Sequence, residues 1–554
     1  MTPGELTVEV FTTKEDPAAE FISNRPIERD QGSPESFNIA RAWLEECCQN
    51  HEQCASEEEP LLPTRVLDVT DADNIKLLIS GGRARYAALS YCWGGAQPHA
   101  TTLDNVGEYI KHIPGLYLPR TVHDAIRVTR ELGLRYLWVD ALCIIQDSSE
   151  DKLKEISHMS VIYKKSHLTI SAASAKECSE GFLQKRRMHG ALEAGKDPFH
   201  MQYQCPDDVR GLVILREEAP YHPYWEATRA RAWTLQEHVL SPRTLIYGAR
   251  MIWRCNHRQV SHGGTQDWSF EPHHSQDRVF SQTLPVKLEE EADFRNRVYQ
   301  SWYSLINDYT RRELSIPSDK LPALAGIVQE MARLTGDIYL AGLWKTSLLH
   351  DLMWSLHGST KYRHSSVWRA PSWSWASVDN AVRYGRIDSD AIPLATVIRC
   401  DVVPAFKISH FGEVISGELE LEGALCELSK EQFSLALEKE RLAEAPPSEN
   451  EVAFGWGHWY RSMLQQALDN MPENKFSEPE WPETAYALVL FQGSRAKTMV
   501  EDLGEDNFIA QGSFSGLLLG KLGDGRFKRL AAFCNHGDEW LRSATYETKK
   551  VLII

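Results

Sequence analysis

Apolar and polar positions along this chain follow two periods, and the place where they alternate is informative. Val122, Ala125, Ile126, Thr129 and Leu132 fall at helical spacing on one face. Pro119-Arg120-Thr121 opens that helix, with Thr121 as N-cap and Asp124 in the first turn, and Gly133 stops it. Before it, residues 86–91 (YAALSY) read as a short buried strand. After it, residues 136–139 and 142–145 form an apolar run with little alternation, interrupted by Asp140. A strand apolar on both faces suits the middle of a parallel sheet covered by helices. Residues 151–165 are helical in pattern and residues 167–173 strand-like. The order strand, helix, strand, helix, strand over 86–173 predicts an open α/β sheet.

The flanks differ. Residues 1–35 are polar and rich in Pro, Glu and Asp, and read as a loosely ordered lead-in. A helix begins near Ser36, residues 64–80 resemble a hairpin, a helix surrounds residues 232–237, and 244–253 is strand-like. A helical region spans about 293–335. Strands are expected at 419–423, 486–491, 516–522 and 549–554. The expected division is a core domain with its N-terminal helix over 36–270, a helical region over 271–364, and a β-rich domain over 365–554. The last carries a charged insertion at 428–480, broken by Ala445-Pro446-Pro447-Ser448.

At 554 residues the chain is too long for one ordinary core. A formal net charge of −17 argues against non-specific nucleic-acid binding, which needs a basic face. The short basic run Lys185-Arg186-Arg187 reads as a solvated loop. The N-terminus lacks the pattern of a secretory signal. The most apolar stretch, 136–145, is far shorter than the about 20 residues of a spanning helix. Eleven scattered cysteines, an odd number, fit reduced thiols, so a cytoplasmic location is expected. Phosphate-loop, dinucleotide-fingerprint and hydrolase-elbow motifs are absent.

Four blocks carry a family resemblance: residues 86–94 (YAALSYCWG), 118–147 (LPRTVHDAIRVTRELGLRYLWVDALCIIQD), Ile162-Tyr163 through Ala172-Ala173, and Arg231-Ala232-Trp233-Thr234-Leu235-Gln236-Glu237 with Leu240-Ser241-Pro242-Arg243. In this order they resemble the signature of the fungal heterokaryon-incompatibility (HET) domain. Residues around Trp43 and the run 369–377 (RAPSWSWAS) are similar to blocks that flank it. The resemblance implies self/non-self recognition and programmed death of fused fungal cells. It implies partners among other incompatibility proteins or further copies of the chain. It also implies distant kinship to TIR domains, hence a TIR/flavodoxin-like parallel sheet. No cofactor is required, but NAD becomes a possible substrate, since some TIR domains cleave it with a glutamate in a W-x-x-x-E arrangement. Trp233 and Glu237 stand at that spacing.

Glu237 is therefore the candidate catalytic residue, because splitting an N-ribosyl bond needs an anion beside the developing oxocarbenium ion. The alternative is a structural glutamate paired with Arg231, Arg243 or a backbone N–H. Tyr91, Trp93 and Gly94 follow the first strand, where open α/β sheets bind ligands; the alternative is a tight turn packed by a core tryptophan. Asp140 and Arg231 would shape the same pocket, with Trp233 as its aromatic wall and Asp147 as a further acid. Cys92 and Cys143 read as buried thiols. Cys47, Cys48, His51 and Cys54 resemble metal ligands on one helix, but no second pair follows at suitable spacing, so no metal site is expected. Trp368, Trp373 and Trp375 alternate as in a strand and are expected to pack between domains. Two other functions stay open: a non-enzymatic interaction module, and an enzyme of secondary metabolism on the same fold.

Overall fold

The computed structural model describes residues 8–26, 30–54, 59–185, 198–217, 226–263, 280, 291–357, 363, 365–384, 391–406, 411–429, 432, 484–492, 514–535 and 547–554. The chain divides into two compact units, 1–301 with 324–330, and 302–323 with 331–554. Arg186, Arg187 and nearly all of the charged insertion at 428–480 lie outside the described residues.

In chain order the N-terminal unit contains β1 (Val8–Phe11), α1 (Pro34–Asn50), β2 (Arg65–Asp68), β3 (Lys76–Ile79), β4 (Tyr86–Ser90), α2 (Arg120–Glu131), β5 (Tyr136–Trp138) and α3 (Ser149–Lys165). There follow β6 (Leu168–Ser171), β7 (Phe199–Gln204), β8 (Arg210–Glu217), α4 (Trp233–Leu240), β9 (Arg243–Tyr247), β10 (Met251–Cys255) and β11 (Gln259–Ser261). Eight of these strands form one mixed sheet in the order β11-β10-β9-β6-β4-β5-β2-β3. β4 runs parallel to both β5 and β6, and β6 to β9. Antiparallel strands complete both edges. The chain leaves β4 through α2 to reach β5 on one side, then returns through α3 to β6 on the other. Successive connections thus part between β4 and β6, and such a divergence opens a crevice beyond the strand ends.

All five residues of β4 are buried, as a central parallel strand requires. Two tyrosines lock α3 across it: Tyr86 Oη donates to the Ile162 carbonyl at 2.6 Å, and Tyr163 Oη to the Leu89 carbonyl at 2.9 Å. The expected face of α2, with Val122, Ala125, Ile126 and Thr129, is buried. Its first turn departs from expectation. Pro119 occupies the cap position without a side-chain bond. Thr121 and Asp124 instead accept from the backbone of 181–183, with Phe182 N 2.6 Å from Asp124 Oδ2.

Three further expectations are corrected. The apolar run 136–145 is not one strand: β5 ends at Trp138, and Asp140–Cys143 is a helical turn. The carboxylate is the reason, since Asp140 Oδ1 accepts from Ala141 N at 2.7 Å and so bends the chain out of the sheet. Residues 244–253 form a hairpin, β9 and β10, turning at 248–250. The polar lead-in is partly ordered, because β1 pairs with β8 in a three-stranded sheet that also holds β7.

The helical region expected at 293–335 is α5 (Glu291–Tyr309) and α6 (Ala325–Thr335), separated by 3-10 turns that begin at Pro317 and Pro322. In the C-terminal unit β12 (Tyr339–Leu340) pairs with β13 (Leu343–Trp344), and β14 (Trp354–Leu356) with β15 (Val382–Tyr384). Next come β16 (Ile392–Pro393), β17 (Thr396–Pro404), β18 (Val414–Leu428), β19 (Ala485–Gln492), β20 (Phe514–Lys521), β21 (Phe527–Asn535) and β22 (Glu547–Ile553). Their order is β16-β19-β20-β21-β22-β18-β17, and β18 also pairs with β19, so five strands close into a barrel. An odd number of strands requires one parallel pair, and β21–β22 supplies it. Val489, Leu518, Ala531 and Phe533 fill part of its core.

The tryptophan run 368–375 is not a strand. Trp373 and Trp375 are buried inside the C-terminal unit, Trp375 donating to the Gly342 carbonyl at 2.7 Å, whereas Trp368 is exposed.

Candidate functional site at the carboxyl ends of the parallel strands

Ser90 is the last residue of β4, and Tyr91, Cys92 and Trp93 continue the chain beyond it. Asp140 stands just past the end of β5, the next strand of the sheet. The indole N–H of Trp93 donates to Asp140 Oδ2 at 2.9 Å, which ties the two strand ends together. Arg231 precedes α4 and donates to the Tyr91 carbonyl at 3.0 Å. Asp140 lies close enough to Arg231 to feel its charge.

Glu237 lies on α4 and is only 6% exposed. The Ser90 and Tyr163 hydroxyls lie close enough to its carboxyl group to favour the charged form, while Oε2 has no hydrogen-bond partner among the described residues. Burial pushes this carboxyl up to about 7, the nearby Asp140 charge adds to the shift, and Arg231 opposes it. Burial likewise raises Asp140. The Tyr91 hydroxyl is buried, near Asp140, and it too has no hydrogen-bond partner among the described residues. The set holds two acids, one guanidinium and two phenols, with one acid half-ionised near neutral pH. A carboxyl in that range can both take up and give a proton in one reaction cycle.

The sequence-derived set is therefore largely brought together: Tyr91, Trp93, Asp140, Arg231 and Glu237 form one cluster. Trp233 is on α4 one turn before Glu237 and half-buried against the core of the unit. Two residues do other work. Asp147 accepts from Leu103 N at 2.9 Å. Gly94 has φ +74°, and a Cβ there would stand 2.0 Å from the Cβ of Glu177. Its backbone is approached by a neighbouring loop, not left open for a ligand. A cavity of about 240 Å³ is lined by Tyr91, His99, Tyr117, Ala141 and Cys178, among others, but not by Glu237.

Residues 86–237 match the family model described as Heterokaryon incompatibility protein (HET). The chain carries a HET domain. The match runs from the first residue of β4 to Glu237. Heterokaryon incompatibility protein 6, OR allele, of Neurospora crassa is 34% identical over 207 residues, covering 32% of this chain and 29% of that relative. The chain thus aligns with under a third of the relative's length. No solved structure matches it. Among the described residues, no helix is long and apolar enough to cross a membrane.

Ser90 and Tyr163 complete the HET-domain cluster and were missed in the sequence reading. Ser90 ends the YAALS strand, and its position beside the crevice was the available signal; Tyr163 opens one of the four family blocks, but a tyrosine on an amphipathic helix looks like ordinary core. Cys92 and Cys143 are buried, and burial pushes their thiols up to about 11 and about 12. Both are expected to react with a thiol reagent at neutral pH at least tenfold more slowly than exposed Cys48, since the thiolate is the nucleophile. Peptide mapping after a short alkylation pulse checks this.

Proposed function

We propose that this chain acts in heterokaryon incompatibility, and that the Glu237 cluster is the working centre of its HET domain, cleaving the N-ribosyl bond of a nicotinamide dinucleotide to trigger cell death. The observation that carries the site is the coincidence of place and state. A buried carboxyl with one unpartnered oxygen stands beside Ser90, at the end of the central strand, where connections diverge. The four parallel strands, numbered along the chain, lie in the order 2-1-3-4, which supports the flavodoxin-type, TIR-like reading. In the reaction the Glu237 carboxylate would stabilise the ribosyl cation as neutral nicotinamide leaves, and water would complete the hydrolysis.

A second reading is an assembly module in which Glu237 is structural. It is favoured by the 6% exposure of Glu237 and by the neighbouring cavity, at about 240 Å³ smaller than ordinary small-molecule sites. The same volume counts equally against NAD and against a bulky biosynthetic substrate in that cavity. Incubation of the purified chain with NAD separates the readings. Nicotinamide release is expected from wild type, with at least a hundredfold loss in folded Glu237→Gln. Equal release from the two proteins, or none from either when the chain is concentrated enough to self-associate, would transfer the function to assembly.

A further inference from the structure

We propose that Cys47, His51, Cys54 and Cys255 together bind a structural zinc ion. Cys47 lies in the last turn of α1, His51 is the residue that caps that helix, and Cys54 closes the short 3-10 turn Glu52–Cys54. The fourth residue, Cys255, is the last of β10 and arrives from the far side of the domain sequence. All four side chains are buried, and their ligand atoms lie within 4.8 Å of one another. His51 Nδ1 is 3.5 Å from Cys255 Sγ. A tetrahedral zinc ion with ordinary Zn–S and Zn–N bonds holds its ligand atoms about 3.5–3.8 Å apart, so only small inward movements are needed.

The surroundings fit the same assignment. Nδ1 of His51 faces the thiols, while its Nε2 is 3.8 Å from Glu46 Oε1. A carboxylate behind the metal-bound imidazole fixes its orientation and raises its basicity. Glu46 is itself held by the Arg258 guanidinium. The Arg258 backbone N–H points at Cys255 Sγ from 3.5 Å. Three thiolates on a zinc ion leave one net negative charge, and the buried Arg243 guanidinium, which donates to the Cys54 carbonyl, lies beside it. A disulfide accounts for the cluster less well. It would join two of three cysteines and leave the third thiol and a buried imidazole unused.

Four protein ligands fill the tetrahedron and leave no position for substrate, which marks the site as structural. It would fasten the end of α1 to the β9–β10 hairpin. Cys48, next in sequence to Cys47, is exposed, its sulfur lying 3.9 Å from His167 Nε2, and it serves as an internal control.

The test is metal analysis of the full chain purified without chelator from zinc-supplemented medium, followed by exchange with Co²⁺. About one zinc per chain is expected in wild type and Cys48→Ser, with at least a fivefold drop in Cys255→Ser. The Co²⁺-exchanged wild type is expected to show the intense d–d absorption of a tetrahedral thiolate site. That arm needs no variant, so a Cys255→Ser chain that fails to fold does not blunt the test. Zinc content in wild type no higher than in Cys255→Ser, a weak octahedral Co²⁺ spectrum, or a disulfide between any two of Cys47, Cys54 and Cys255 in non-reduced peptide maps would overturn the proposal.

Discussion

Between about pH 5 and about pH 8 the wild-type chain is expected to lose stability that Glu237→Gln retains, by up to about 3 kcal/mol. The sign follows from the direction of the shift. Burial holds the Glu237 carboxyl at about 7 in the folded state, above its ordinary value of 4.5. The native chain therefore binds more protons than the unfolded chain between those two values. The stabilising contribution is complete below the unfolded value and lost as pH rises through the folded one. Asp140, Arg231, Ser90 and Tyr163 all face the group and remain in the variant. Asp351 in the C-terminal unit is also pushed up to about 7, but it is common to both proteins and cancels in their difference. Denaturant midpoints for the two proteins across this range give the answer. A Gln variant that is less stable than wild type at the alkaline end would mean that the carboxylate is a structural partner of Arg231, and the catalytic reading of Glu237 would fall with it.

Gly94→Ala is the other change with a large expected cost, about 3–5 kcal/mol. The residue has φ +74°, unfavourable for any side chain with a Cβ, and the added methyl would lie 2.0 Å from Glu177 Cβ and 2.6 Å from Glu177 Cα. One of those neighbours is backbone, so relaxation must move the 176–178 loop, whose Cys178 N–H bonds to the Trp93 carbonyl at 3.3 Å. Because Trp93 also holds Asp140, the disturbance reaches the carboxyl cluster. Gly107→Ala is the control: nothing lies within 4 Å of its added Cβ, and it sits in a short helix where Ala is preferred. Thermal unfolding of the pair should separate them by many degrees; a Gly94→Ala chain within about 1 kcal/mol of wild type would show that the loop is not packed as described.

The parallel centre of the N-terminal unit was legible because its strands are short, apolar on both faces and separated by helices of clear period. One edge was legible too, since residues 64–80 form the expected hairpin as β2 and β3, but the opposite edge and the small separate sheet were not. β1 lies in a polar stretch and gains its partner β8 only from the folded chain. β9 and β10 merged into a single run because the turn between them, Gly248-Ala249-Arg250, lacks a strong turn signature. Asp140 could be singled out as an acid in an apolar run and Glu237 through its W-x-x-x-E spacing from Trp233, but their convergence depends on which strands are neighbours, and that is a tertiary fact. The same limit hid the fourth member of the cysteine–histidine group. Cys47, His51 and Cys54 share a helix end, and nothing local to them points to Cys255. Gly94 shows the opposite failure: its place after the first strand marked it for a ligand site, but its bare backbone is taken up by packing against the Glu177 loop.

β17 ends its sheet among the described residues, with the exposed side chains of Ile398 and Val403 along it. A nine-residue edge of this kind is a template on which another chain can add a strand. Here the edge carries its own deterrent. Arg399 is shared among Asp401, Glu418 and Glu420 at 2.7–3.3 Å, so this group of three acids and one base is net negative, and Pro404 ends the strand without an N–H to offer. Two copies meeting edge to edge would bring like charge against like charge, a repulsion that salt screens over about 8 Å at physiological ionic strength. Colloidal behaviour of the chain should therefore worsen as salt is added, opposite to what a surface of hydrated, evenly mixed charge would do.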